Sequence, residues 1–93
     1  MNAKHAKLIH TNLPDFRGKA SLYKLDPPLK DYNGNSHEYV IASTADVFSG
    51  VETYLFPSNE AGEVVSWSEL PGSKRGGYSH VEIFDDLGYT VEN

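Results

Sequence analysis

The sequence predicts an α+β domain in which a small antiparallel sheet of about four strands carries one short C-terminal helix. The chain has 93 residues, enough for one ordinary domain and not for two. Aromatic and β-branched residues fall in short runs between Gly-, Pro- and Asn-rich turns, as in strands. A helix-capping pattern followed by apolar residues three apart predicts a helix near the C-terminus. Together these patterns favour a sheet packed against a helix.

Four strands are predicted in these runs, over residues 20–25, 37–43, 51–56 and 63–67. The first stops at Asp26-Pro27-Pro28, because proline lacks the backbone donor that a sheet needs. Asn33-Gly34-Asn35 marks the turn before the second. Residues 58–62 form a turn that ends in Gly, so we expect the third and fourth strands to pair as a hairpin.

Residues 1–19 mix Lys, His and Asn with Pro14 and Gly18, and show neither a strand period nor a helix period. We therefore expect residues 1–19 to be loosely ordered. Residues 20–93 are expected to form the single α+β domain.

The helix is predicted over residues 80–87. The Ser79 hydroxyl can accept the N–H of Glu82, whose carboxylate can reach back to the N–H of Ser79. Val81, Phe84 and Leu87 are spaced three apart, so we expect them to face the sheet. Gly88 suits the helix stop. Residues 89–91 are predicted to add a last short strand.

Six Tyr, four Phe and one Trp make the chain rich in aromatic residues. A small core needs large side chains, so we expect most of Phe48, Tyr54, Phe56, Trp67 and Phe84 to be buried. The other tyrosines, where partly exposed, suit a protein-binding patch, because Tyr is enriched at interfaces. They are Tyr23, Tyr32, Tyr39, Tyr78 and Tyr89.

Charge is divided unevenly along the chain. Residues 1–30 hold six Lys or Arg against two Asp, a balance of +4, and residues 31–93 hold two against eleven acids, a balance of −9. A solvated surface whose halves attract explains this division. A basic segment for an acidic partner and an acidic face that mimics nucleic acid are the alternatives. The acidic total argues against direct nucleic-acid binding.

The composition excludes several kinds of chemistry. Without Cys the chain has no disulfide, no Cys-ligated zinc and no thiol nucleophile, which fits a reducing cytoplasm. His5, His10, His37 and His80 share no metal-ligand spacing, so no metal and no cofactor are expected. No spacing marks a catalytic set either, and Ser79 is better explained as a helix cap than as a nucleophile. No apolar run approaches the length of a membrane helix.

The most distinctive segment is the loop over residues 72–80. It combines small residues and two cations with a helix N-terminus, which are the ingredients of an anion or partner site. The order of Lys and Gly does not match a nucleotide-binding P-loop. A surface turn that happens to be basic is the alternative. The residues of this candidate contact are Ser73, Lys74, Arg75, Gly76, Gly77 and His80.

Several short runs from about residue 11 onward share one pattern and together span most of the chain. The runs are Thr11-Asn12-Leu13-Pro14, Leu22-Tyr23-Lys24-Leu25-Asp26-Pro27-Pro28, Tyr39-Val40-Ile41-Ala42-Ser43, Phe48-Ser49-Gly50-Val51-Glu52-Thr53-Tyr54-Leu55-Phe56-Pro57, Gly62-Glu63-Val64, Trp67-Ser68-Glu69-Leu70 and Gly88-Tyr89-Thr90-Val91. This pattern resembles small uncharacterised proteins encoded by phages of actinobacteria. No activity comes with the resemblance, so it assigns no functional residue. It implies an accessory protein in the cytoplasm of a bacterial host, where such proteins often bind a host protein.

The leading hypothesis is a non-enzymatic protein-interaction module that acts on a host or phage protein. The alternatives are a binder of a phosphorylated small ligand through residues 72–80, and an acidic nucleic-acid mimic. Self-association is also expected if residues 39–43 or 51–56 lie at a sheet edge, where a second copy can add a strand.

Overall fold

The computed structural model describes residues 4–11, 13, 19–47, 50–67, 70–75 and 79–92, with the backbone alone at 46, 47, 74 and 75. These residues form one six-stranded sheet and one helix. The elements are β1 Lys4–His10, β2 Lys19–Lys30, β3 Ser36–Val47, β4 Gly50–Ser58, β5 Lys74–Arg75, α1 His80–Asp86 and β6 Tyr89–Glu92. The strand order is β5-β4-β3-β2-β1-β6, and β5 has only two residues.

A small sheet with one short helix is confirmed, but the sheet is not wholly antiparallel. The four strand pairs from β5 to β1 are antiparallel, whereas β6 runs parallel to β1. A parallel neighbour needs a crossover connection, and α1 lies in the connection that leads to β6. The predicted last strand over residues 89–91 is confirmed as β6.

The predicted strand over residues 63–67 is wrong. Among these residues only Val64 bridges to β4, at Ser58, so the expected hairpin is reduced to one isolated pair. A regular ladder cannot continue along β4 because Pro57 has no N–H to donate. The segment after β4 is instead held along the edge of β4 by separate hydrogen bonds. Val65 N donates to the Pro57 carbonyl, and Leu70 N donates to the Leu55 carbonyl.

The expectation of a loosely ordered N-terminal segment does not hold for residues 4–10. They form β1, which lies between β2 and β6. Ala6 is fully buried and Leu8 packs on the core, while Lys7 between them is exposed. This is the alternation of a strand with one buried face, and the Lys and His residues conceal it in the sequence. Residues 1–3, 12 and 14–18 lie outside the described part.

The apolar residues form a cluster on each face of the sheet. The larger cluster lies under α1, and the smaller cluster is centred on Ala20, Leu22 and Ile41. The capping box at Ser79 and Glu82 is confirmed. Val81 was expected to face the sheet but is 56% exposed. The helix turns the stripe His80, Ile83, Phe84 and Leu87 toward the core instead, at i, i+3, i+4 and i+7.

Neither segment proposed for strand addition is a free edge. Residues 39–43 belong to β3, which is internal in the sheet. The outer side of β4 is occupied by β5 at Glu52 and Thr53, and by the Ser73 hydroxyl and the Leu70 N–H at Leu55. The condition on which strand addition was expected is therefore not met by either segment, and self-association stays a prediction.

A tight turn at Pro71-Gly72 brings the chain against the end of the helix. Gly72 has a φ of +101°, and a Cβ placed there would lie 2.8 Å from Leu87 Cδ1. Gly34 has a φ of +87° but would meet nothing within 4 Å. Both glycines therefore have a positive φ, which other residues rarely adopt, but only Gly72 lacks space for a Cβ.

We predict that Gly72→Ala lowers the free energy of unfolding by more than about 1 kcal/mol, because it combines backbone strain with a steric clash. Gly34→Ala should lower the free energy of unfolding by less, because this substitution adds backbone strain without a steric clash. Urea unfolding of both variants measures the difference. Equal losses would show that Leu87 moves aside without cost.

Candidate functional site

The described residues of the loop over residues 72–80 make hydrogen bonds within the fold and stabilise it. The Ser73 hydroxyl accepts the N–H of Leu55 at 2.9 Å and donates to the Leu70 carbonyl at 3.0 Å. Lys74 and Arg75 form β5 through their backbone. Their side chains, with Gly76, Gly77 and Tyr78, lie outside the described residues. The proposed contact at Gly76 and Gly77 stays a prediction, while Ser73 has an internal role.

His80 packs into the fold beneath the first turn of α1. Its Nε2 lies 3.0 Å from Thr44 Oγ1, and its ring meets the Tyr23 ring edge-on at 6.1 Å. Burial lowers the pKa of His80, the nearby charge of Lys19 lowers it further, and a hydrogen bond with the Lys19 backbone opposes both. His80 is therefore mainly neutral near pH 7. It does not supply the positive charge that an anion site needs.

The aromatic residues are arranged differently from the expectation. Tyr23 is only 5% exposed and packs on Phe84 with ring centroids 4.6 Å apart, so it is a core residue and not an interface residue. Tyr89 is also buried, and Tyr39 is half-buried. Tyr32 fits the prediction, because it is 78% exposed. The expectation of a buried Trp67 is wrong, since this ring is 67% exposed.

Three rings form what we call the aromatic row: Tyr54, Phe56 and Trp67. Tyr54 and Phe56 are half-buried on the sheet face opposite α1, and their centroids lie 6.0 Å apart. Phe56 meets the Trp67 ring edge-on at 5.3 Å. The Tyr54 hydroxyl donates to the Glu52 carboxylate. The row therefore presents a large, largely exposed indole on two supporting rings.

A cavity of about 490 Å³ opens beside the turn between β2 and β3. We call it the turn cavity. Its polar wall is formed by the turn and the start of β3, and its apolar wall by Pro57 at the end of β4 and by the segment that follows β4. The lining residues are Asp31, Tyr32, Asn33, Asn35, His37, Pro57, Val65, Ser66 and Leu70.

Asp31 organises the polar wall of this cavity. One carboxylate oxygen accepts the backbone N–H groups of Asn33 and Asn35 at 2.8 and 2.9 Å, and the other lies 2.9 Å from His37 Nε2. The bond with His37 lowers the pKa of Asp31, burial opposes this, and the two backbone N–H groups lower it further. Because both oxygens are occupied, this carboxylate is poorly placed to exchange a proton with a ligand.

The residues Asn33-Gly34-Asn35 predict the turn, but they do not predict the contact between Asp31 and His37. Lys30 pairs with Ser36, and Asp31 and His37 each follow one residue of this pair, so the register makes them diagonal neighbours on one face of the hairpin. Only the strand register shows this proximity. The six-residue spacing alone does not.

No protein-family model matches the chain, and no curated protein or solved structure is detectably similar to it. Within the described residues, no three His, Asp or Glu side chains come together as metal ligands. The described helix is too short and too polar to cross a membrane.

We predict that His80 makes stability depend on pH. The folded pKa of His80 lies below the unfolded value of about 6.5, so its contribution to the free energy of unfolding is fully present above that pH and is lost as the pH falls from there through the folded pKa. The melting temperature should fall between about pH 7.5 and pH 5.5. His80→Gln should reduce this fall, whereas His10→Gln, at an exposed strand end, should not. An unchanged pH profile in His80→Gln would contradict the assignment.

Proposed function

We propose that this chain is a non-enzymatic protein-interaction module whose contact surface is the aromatic row. The observation that supports this most is the 67% exposure of Trp67 on a supporting Phe56 ring. Keeping a large ring in water forgoes the free energy of burying it. Trp and Tyr dominate the binding energy of protein interfaces, so an exposed and supported indole suits a contact residue.

The row has limited conformational freedom before any partner arrives. Phe56 restricts the Trp67 ring from one side, and the bond to Glu52 fixes the Tyr54 hydroxyl. A side chain that is already ordered loses less entropy on binding than a mobile one. The row therefore favours specific protein contact over loose surface adhesion.

The charges of the folded chain agree with the view that its two halves attract. Lys24 pairs with Glu38 at 3.4 Å, and this contact joins the basic segment to the acidic one. The acids Asp85 and Asp86 lie on α1, while Glu52 lies on the opposite side of the sheet. Carboxylates spread over both sides do not favour the nucleic-acid mimic.

The proposed partner is a host or phage protein, and the proposed location is the cytoplasm of a bacterial host. Both proposals follow from the resemblance to phage-encoded proteins of actinobacteria. The net charge of −5 favours a partner with a basic surface, because opposite charges accelerate association.

We predict that Trp67→Ala weakens capture of a partner from actinobacterial lysate by at least roughly thirtyfold in affinity, the loss typical of a central interface aromatic. Tyr32→Ala is the matched control, since it removes an exposed ring outside the row. A captured protein that binds wild type and Trp67→Ala equally would contradict the proposal.

Trp67 also allows a direct measurement, because it is the single Trp of the chain. Titration with the purified partner should shift the Trp emission to shorter wavelength as the indole leaves water. A partner that binds without moving this emission contacts another surface.

A further inference from the structure

We propose that the turn cavity binds a small neutral polyhydroxylated ligand, of the size and chemistry of a monosaccharide or disaccharide. This site is separate from the aromatic row, none of whose rings line the cavity. The inference follows from the volume of the cavity, its charge, its unpaired amides and its exposed aromatic ring.

The volume suits a small molecule. The cavity of about 490 Å³ falls within the range of small-ligand sites, which is roughly 300 to 1,000 Å³. The cavity lies between a hydrogen-bonded turn and the segment after β4, so it has walls of different chemistry. It is too small for a folded partner and large enough for one or two sugar rings.

The charge of the lining does not favour an ionic ligand. No Lys or Arg is among the described lining residues, so the described part of the lining offers a phosphate group no Lys or Arg partner. Among the described lining residues Asp31 is the single carboxylate, and its oxygens are occupied by His37, Asn33 and Asn35. An ammonium ligand would therefore compete with bonds already made. A neutral ligand needs no cation from the lining and does not compete for the bonds that Asp31 already makes.

The polar groups that remain match hydroxyls. The side-chain amides of Asn33 and Asn35 line the cavity and make no hydrogen bond to any described residue. Each amide offers donors and an acceptor, and a sugar hydroxyl likewise donates and accepts. A purely apolar ligand would shield these amides from water without replacing their hydrogen bonds.

The apolar groups match the C–H face of a sugar ring. Tyr32 is 78% exposed and Val65 is 63% exposed at this cavity, and Pro57 and Leu70 complete its apolar part. An exposed aromatic face beside amide groups can pack against ring C–H groups while the amides bond the hydroxyls.

The turn that presents these groups is fixed without a ligand. Asp31 N donates to the Asn35 carbonyl at 2.8 Å, and Gly34 N donates to the Asp31 carbonyl at 3.1 Å. Together with the carboxylate bonds, these contacts hold residues 31–35 in one conformation. Binding would therefore order little backbone, which favours affinity.

The test is a ¹H–¹⁵N NMR titration of the full chain with glucose, galactose, mannose, N-acetylglucosamine and maltose, each to about 50 mM. We expect at least one sugar to give saturable shifts at residues 31–37 and at Val65. Adenosine monophosphate is the ionic probe, and we expect it to leave these residues unchanged. No saturable shift with any sugar, or saturation by the nucleotide instead, would overturn the proposal.

Variants locate the site. Tyr32→Ala and Asn33→Ala should each weaken sugar binding by at least roughly tenfold. Both residues are exposed, and dispersed spectra of the variants verify that they fold. Trp67→Ala should bind the sugar as wild type does, whereas it should lose the protein partner. Sugar binding that Tyr32→Ala and Asn33→Ala leave intact would place the ligand elsewhere and overturn the assignment.

Discussion

The pairing of β2 with β3 is the contact on which the rest of the structure depends. Leu22 lies opposite Ile41, and Tyr23 lies opposite Val40, so one register buries apolar side chains on both faces of the sheet. A slip by one residue would exchange the two faces and expose both clusters. The remaining strands add to this pair on either side, β1 and β6 beyond β2 and β4 and β5 beyond β3.

Both candidate surfaces follow from that register. At one end of the hairpin, Asp31 closes the turn and forms a wall of the turn cavity. On the face opposite α1, the pairing of Ile41 with Phe56 places a ring of β4 beside the smaller apolar cluster. Trp67 then packs on Phe56 from the segment beyond β4. The two surfaces are thus separate products of one arrangement of strands.

Local patterns in the sequence predict the local structure, and they fail where contacts between distant residues determine it. The capping box at Ser79 and the strands around Leu22, Ile41 and Leu55 depend on near neighbours, and they are confirmed. The predicted stop of the first strand at Asp26-Pro27-Pro28 is wrong, because β2 continues to Lys30. β1 was missed because the Lys and His residues among its apolar ones make a half-buried strand resemble a polar tail.

The candidate surfaces also depend on long-range packing. Trp67 was expected in the core because its size favours burial. Pro57 has no N–H to donate, so residues 63–67 do not form the strand that would have placed Trp67 in the core. Tyr32 could be recognised as an exposed aromatic residue. The contact of Asp31 with His37 could not be recognised from the sequence, because it depends on the strand register.

The parallel pair of β1 and β6 has a mechanical consequence. Its register runs from Lys4 beside Tyr89 to Lys7 beside Glu92, and Lys4 also donates to the Leu87 carbonyl. A force applied across residues 4 and 92 would slide these strands along each other. The hydrogen bonds between them would then bear the load together and would not open one after another. The fold therefore has a shear clamp between its first and last strands, suited to resisting extension.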